Sequence, residues 1–189
     1  MVGKKKTLNQ TIAENSKIEI KPSSLLFPAL VIVSCLLAKW WHISSTNHDL
    51  LFLLTPLNFL VSLFTGSIGF FDAETGFFHS SLGIAIDKSC AGFNFLVIAF
   101  GSIFSMLYRT KDGFRLNLYR YISALSVSYL LVLTANTSRI LVSIKSLHFS
   151  GLFPWLASNT AHEVTGSFIF ISALLIACLF IHYLKTRNT

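Results

Sequence analysis

Four long apolar runs dominate the chain, at residues 22–41, 91–108, 121–138 and 164–184. An α-helix needs about 20 mostly apolar residues to cross the hydrocarbon layer of a bilayer, so each run predicts one crossing. The first carries a single charge, Lys39, near its end beside Trp40 and Trp41. A long side chain there can carry its ammonium to the interface while the indoles lie at headgroup depth, a depth that Trp155 could also mark. A fifth run, residues 50–64, is shorter and is interrupted by Pro56 and diluted by Asn58 and Ser62, with Gly66 and Gly69 following. Proline removes an N–H and leaves a carbonyl that hydrocarbon cannot satisfy, so this run is read as interfacial or re-entrant. Between residues 77 and 86, Gly76 and Gly83 punctuate apolar positions of period two at Leu82, Ile84 and Ile86, which predicts a short extended stretch. The expected fold class is all-α, a polytopic membrane helix bundle of about four spans plus an interfacial or re-entrant segment. It is expected to form a single integral-membrane domain over residues 1–189, with a cytoplasmic basic N-terminus at 1–21, the membrane bundle with the catalytic core at 22–184 and a cytoplasmic tail at 185–189. No internal repeat or low-complexity tract is evident.

Composition sharpens this reading. The chain is 53% hydrophobic and 12% charged, with a mean hydropathy of +0.65. A soluble domain spends about a quarter of its residues on charge, so a soluble globular protein is excluded. The net charge of +7 does not form a nucleic-acid patch, because the basic residues mark loops. Lys4, Lys5, Lys6, Lys17 and Lys21 precede the first run, Arg109, Lys111, Arg115 and Arg120 fill one connector, and Lys185 and Arg187 close the chain. Lysine and arginine concentrate on the cytoplasmic side. Four spans place these three groups inside, while five would put the N-terminus on the wrong side or invert the rest. The expected location is the cell membrane, multi-pass, with segments 41–88 and 139–163 on the outer face. The first run shows no convincing small-residue cleavage site and is read as a retained span rather than a signal peptide.

The outer segments hold the unusual chemistry. Cys90 stands in Asp87-Lys88-Ser89-Cys90-Ala91-Gly92-Phe93-Asn94, where chain from the outer segment becomes helix. Helix N-terminal N–H groups and the adjacent Lys88 favour a thiolate, although a lone cysteine is more commonly a small hydrophobe. Cys35 and Cys178 lie inside apolar spans and take that plainer reading. Three cysteines at wide spacing match neither a disulfide framework nor a zinc site. Arg139 follows the third run with Asn136 three residues earlier, on the same helix face. It is either a functional guanidinium or an anchor that reaches lipid phosphate. His162, just before the last run, is either a proton-transfer group or an interfacial polar residue. The coincidence of the three carries the argument, since a thiol, an imidazole and a guanidinium at one face are the parts of acyl transfer through a thioester. His42, His48, His79, His148 and His182 are weaker candidates. No His-Glu-x-x-His or Gly-x-Ser-x-Gly pattern is present, which leaves a metal site and a serine hydrolase poorly supported.

These residues resemble the exosortase/archaeosortase family of membrane cysteine transpeptidases, and the short length with the Asp-Lys-Ser-Cys-Ala-Gly-Phe-Asn-Phe run is similar to the exosortase K type. Cys90-Ala91-Gly92 is similar to the family's Cys-Ser-Gly block, with alanine where serine is commoner. Asn136-Thr137-Ser138-Arg139 is similar to its Asn-x-x-Arg block, and His162 with Gly166 and Phe168 to its His-x-x-x-Gly block. The resemblance covers about residues 50–180, and its specificity lies in the order and membrane placement of three short blocks. It implies Cys90, Arg139 and His162 as catalytic residues supported by Asn136, Gly92 and Gly166, in a chain shorter than the usual eight-span members. The implied partners are exported proteins bearing a C-terminal tail of short motif, transmembrane helix and basic cluster, the lipid bilayer, and an unknown acceptor. No cofactor, metal or nucleic acid is implied. Two other classes stay open at this point: a membrane cysteine peptidase that hydrolyses without transfer, and a non-enzymatic transporter or assembly subunit, against which four spans without an inverted repeat argue.

Overall fold

The structure, a computed structural model, describes residues 22–110, 112–149 and 159–187, with side chains described for residues 25–110, 112–145 and 164–187. Five α-helices in chain order are α1 (Pro22–Ser44), α2 (Leu51–Thr65), α3 (Phe93–Leu107), α4 (Phe114–Phe149) and α5 (Asn159–Arg187). Three short strands lie between α2 and α3: β1 (Phe70–Asp72), β2 (Gly76–His79) and β3 (Ile84–Ile86). The fold is an all-α bundle with a small antiparallel sheet of order β1-β2-β3. Four stretches among the described residues are long and apolar enough to cross a membrane: residues 25–44 in α1, residues 88–107, which join the turn ahead of α3 to α3 itself, residues 114–145 in α4 and residues 164–187 in α5.

Helix α4 is the axis. Helices α2, α3 and α5 pack on it, and α1 packs on α3. Two apolar clusters result. The larger gathers Leu53, Leu54 and Leu57 of α2, Phe93 and Phe95 of α3 and Val132 of α4, with Ile86 of β3 against them. The smaller joins Phe27 and Val31 of α1 to Phe100, Ile103 and Phe104 of α3. The outward faces of α1 and α5 stay apolar and exposed, as at Leu36, Phe168, Ile171 and Ile176. A helix apolar all round suits lipid on its open side.

Two differences from the sequence reading have clear physical causes. The third span is expected to end at residue 138, yet α4 runs unbroken from Phe114 to Phe149. No glycine or proline interrupts this stretch, and loss of apolarity does not by itself end a helix. Arg115 and Arg120 therefore sit on the first turns of α4 rather than in a connector, where Arg120 pairs with Asp112. At about 1.5 Å per residue, Arg139 lies roughly 37 Å along the helix from Phe114, beyond a hydrocarbon layer of about 30 Å unless the helix tilts. The second difference is α2, which passes straight through Pro56. The carbonyl that proline frees, that of Phe52, accepts a hydrogen bond from the Tyr129 hydroxyl of α4 at 2.6 Å. Helix α2 ends where Gly66 adopts φ +70° and returns its N–H to the Ser62 carbonyl, the usual left-handed stop. At fifteen residues it is too short to cross.

The extended stretch expected around residues 77–86 is present as β2 and β3, with Leu82 and Gly83 in the turn between them. Strand β1 was not foreseen, because Phe-Phe-Asp shows no alternation. Asp72 closes the β1–β2 turn by accepting from the Glu74 and Thr75 amides, both at 2.9 Å.

Candidate active site

Cys90 ends a single 3-10 turn, Lys88–Cys90, that runs from the sheet into α3. The turn is built by Asp87, whose carboxylate accepts from the Ser89 amide at 3.0 Å, the Cys90 amide at 3.2 Å and the Ser89 hydroxyl at 2.6 Å. This is a side-chain cap of the type Asp favours. The Ser89 hydroxyl in turn points at the Cys90 sulfur, at 3.8 Å. Gly92, at φ +70°, then reverses the backbone so that α3 begins at Phe93, two residues later than the hydropathy suggests. The half-buried thiol thus stands on a capped turn just ahead of the helix.

Lys88 is not placed as expected. Its ammonium donates to the carbonyls of Ile43 at 3.1 Å and Ser45 at 2.7 Å, at the C-terminal end of α1, where a cation satisfies orphan carbonyls and opposes the helix dipole. Its amide donates to Asn47 Oδ1 at 2.7 Å, while Asn47 Nδ2 donates to the carbonyls of Ala73 and Glu74. One buried amide therefore ties the Cys90 turn to the tip of the β1–β2 hairpin. Lys39 is similarly engaged, donating to the Asn94 side chain on the first turn of α3.

Asn136 of α4 is fully buried and donates through Nδ2 to the Cys90 carbonyl. Its Oδ1 has no partner among the described residues. A Cβ on Gly92 would sit 3.1 Å from Asn136 Nδ2 and 3.2 Å from a Val132 methyl. Glycine at position 92 is thus demanded twice, by its positive φ and by this approach.

One turn beyond Asn136, Arg139 carries its guanidinium 5.7 Å from the centroid of the Phe170 ring on α5, a cation–π distance. Phe170 stacks on Phe95 of α3 at 4.5 Å. A Cβ on Gly166 would meet Arg139 Nε at 2.9 Å and Cδ at 3.1 Å, so the missing side chain of Gly166 is the space that Arg139 occupies.

Two cavities meet at Arg139. A recess of about 120 Å³ is lined by Ile84 and Ile86 of β3, Ile140, Ser143 and Ile144 of α4, and by both Cys90 and Arg139. A larger groove of about 700 Å³ runs between α3 and α5, with Asp87, Ser89, Gly92, Phe95, Arg139 and Leu174 among its walls. His42, whose ring lies 4.3 Å from that of Phe93, also faces this groove. The structure thus brings Cys90, Arg139, Asn136, Gly92 and Gly166 into one neighbourhood. The His162 side chain lies outside the described residues. Its backbone is in α5, one turn before Gly166 and on the same helical face. Trp155 and His148 also fall outside the described side chains.

The sequence reading missed Asp87, Asn47 and Phe170. Asp87-x-Ser89-Cys90 has the spacing of a cap and was legible as such, whereas Asn47 and Phe170 carry no local signal. Cys35 borders the smaller apolar cluster. His79 is fully buried in the sheet, with Nδ1 3.0 Å from the Ser67 hydroxyl, and burial pushes its imidazole pKa below the ordinary value. Among the described residues no group of three or more potential ligands is arranged to hold a metal ion.

Fold and site together define a class: an apolar helical bundle with a capped cysteine and an arginine on one recess. No protein-family model, curated protein or solved structure matches the chain.

Proposed function

We propose that the protein is a membrane-embedded cysteine transpeptidase that cleaves C-terminal sorting tails of exported proteins through a thioester, as its resemblance to the exosortase/archaeosortase family implies. The observation that carries this reading is that Cys90 and Arg139, 49 residues apart and on different elements, line one recess. The Cys90 sulfur attacks the scissile carbonyl carbon and forms the C–S bond. The carbonyl oxygen takes up negative charge beside the Arg139 guanidinium, where one preorganised donor contributes about 100-fold or more. His162 accepts the thiol proton and delivers it to the leaving amine as the C–N bond breaks. An acceptor amine, or water, then displaces the thiol and releases the acyl group. Asn136, Gly92 and Gly166 position the two reacting groups.

The groove between α3 and α5 suits an apolar tail helix, which enters from the lipid side and presents its scissile bond at Cys90. With the N-terminus, the connector before α4 and the C-terminus in the cytoplasm, the site lies at the outer face of the cell membrane. The length of α4 supports this by carrying Arg139 to the membrane boundary.

The test is co-expression with an exported protein from the same genome bearing a motif-helix-basic tail. Cleavage is expected with the parent chain, with Cys35→Ala and with Cys178→Ala, and its loss with Cys90→Ala. Near-normal processing by Cys90→Ala overturns the reading. A product that ends in a free carboxylate under all acceptor conditions assigns the chain to hydrolysis without transfer.

A further inference from the structure

The smaller cavity has a feature that the thioester chemistry does not use. Its walls beyond Cys90 and Arg139 are mostly aliphatic: Ile84 and Ile86 from β3, with Ile140 and Ile144 from α4 on the facing side. Ile86, Ile140 and Ile144 belong to the larger core cluster, so these walls are held by the bundle. The volume of the recess is about 120 Å³. An apolar cavity of about 150 Å³ takes one benzene ring, so this recess holds a branched aliphatic group of three or four carbons and is too small for an aromatic side chain.

The recess and the groove share Arg139, and the Cys90 turn borders both, with Cys90 on the recess and Lys88 and Ser89 on the groove. A peptide whose scissile carbonyl sits at the thiol, with its oxygen toward the guanidinium, extends in two directions. The long apolar groove takes the side that continues into a helix. The short recess is left for the residue that supplies the carbonyl.

We infer that this recess is the specificity pocket for the residue on the acyl side of the cleaved bond, and that it selects a small aliphatic side chain of about valine size. This rests on the proposed thioester reading and adds the substrate residue to it. Ser143 and Ile144 set the capacity, since both lie on α4 one turn beyond Arg139 and Ile140. Among the described residues Arg139 is the cation on the recess, and its guanidinium, packed by Phe170 and Gly166, is taken up by the carbonyl oxygen, which leaves isoleucines to face the incoming side chain. A carboxylate there loses water and competes with that oxygen for the one guanidinium.

The test uses the full chain in detergent micelles and a series of N-acetyl-aminoacyl chloromethyl ketones bearing alanine, valine, phenylalanine or glutamate. In each the cysteine sulfur displaces chloride from the methylene carbon, a C–S bond forms, and peptide mass mapping reads the adduct at Cys90. Iodoacetamide, which has no side chain to place, is the reference, and every rate is divided by the rate with free cysteine. The valine and alanine reagents are expected to label Cys90 at least about ten-fold faster than the phenylalanine and glutamate reagents, the scale at which an apolar pocket discriminates. In Ser143→Leu the ratio of valine-reagent to iodoacetamide rate is expected to fall, and in Ile144→Ala the phenylalanine reagent is expected to gain. A flat series with Cys90 still reacting with iodoacetamide overturns the pocket and leaves the nucleophile standing. Failure of Cys90 to react with any reagent, iodoacetamide included, overturns both.

Discussion

Gly166→Ala separates the position of the Arg139 side chain from its charge and from the stability of α5. The new Cβ would lie 2.9 Å from Arg139 Nε and 3.1 Å from Cδ. Non-bonded heavy atoms settle at about 3.5–4.0 Å, so the arginine must retreat by roughly 0.5–1 Å. The obstacle is a flexible side chain, and alanine inside a helix is favoured over glycine by about 0.5–1 kcal/mol. The fold should therefore hold. The Phe170 ring, one turn along α5 from Gly166 and stacked on Phe95, lies 5.7 Å from the guanidinium, so a retreat from position 166 shifts the guanidinium relative to that ring. A misplacement of about 1 Å at a reacting centre can cost about 100-fold, and we expect tail processing to fall by about 10- to 100-fold. Two measurements are needed: cleavage of a co-expressed tail protein at matched enzyme level, and resistance of the purified chain to thermal unfolding in detergent. Processing within a few-fold of the parent would refute the reasoning, and so would a parallel loss of stability, because the argument requires an intact helix with a displaced arginine.

Arg139→Lys keeps the charge and removes the planar fork, so processing should drop by about 100-fold or more with the protein still inserted; near-parental processing would make Arg139 a lipid anchor. Tyr129→Phe leaves the Phe52 carbonyl without its partner and should destabilise the chain by about 0.5–1.5 kcal/mol. Pro56→Ala supplies an N–H to that carbonyl, so in its background the loss should shrink toward zero; equal losses in both would deny the coupling. Burial holds the folded-state pKa of His79 below its ordinary 6.5, so the unfolded chain binds the extra proton first and stability declines as pH falls below about 6.5. Amide exchange over residues 67–86, corrected for intrinsic chemistry, should therefore accelerate between pH 7.5 and 5, and His79→Gln should flatten that dependence.

Apolar run length located all four candidate spans, because a helix satisfies every backbone group within one segment when hydrocarbon surrounds it. It did not locate their ends. Phe114 to Phe149 continues as helix through Arg139, where neither glycine nor proline interrupts it. Pro56 rightly marked a run that does not cross, yet α2 continues through it: the cost of its orphan carbonyl is local, but the remedy, Tyr129, lies 73 residues away. The site was legible as three short blocks in order, and their common purpose as space was not. That Gly166 exists to make room for Arg139, and Gly92 for Asn136, follows only from the approach of α4 to its neighbours. Lys88 shows the limit of adjacency. Next to Cys90 in sequence, it spends its charge on the end of α1.

The Asn47 amide, bonded at once to the hairpin tip and to Lys88, has a consequence for biogenesis. The turn that presents Cys90 is not shaped by the helix it leads into alone. It also closes on a connector 41 residues upstream and on a hairpin made in between. Its clamp on the carbonyl side, Asn136, is synthesised 46 residues later. A nascent chain threading into the membrane therefore carries this cysteine on an unfinished turn until α4 has emerged. The thiol acquires its setting only after α4 has been made, and the α5 residues that pack on Arg139 follow later still.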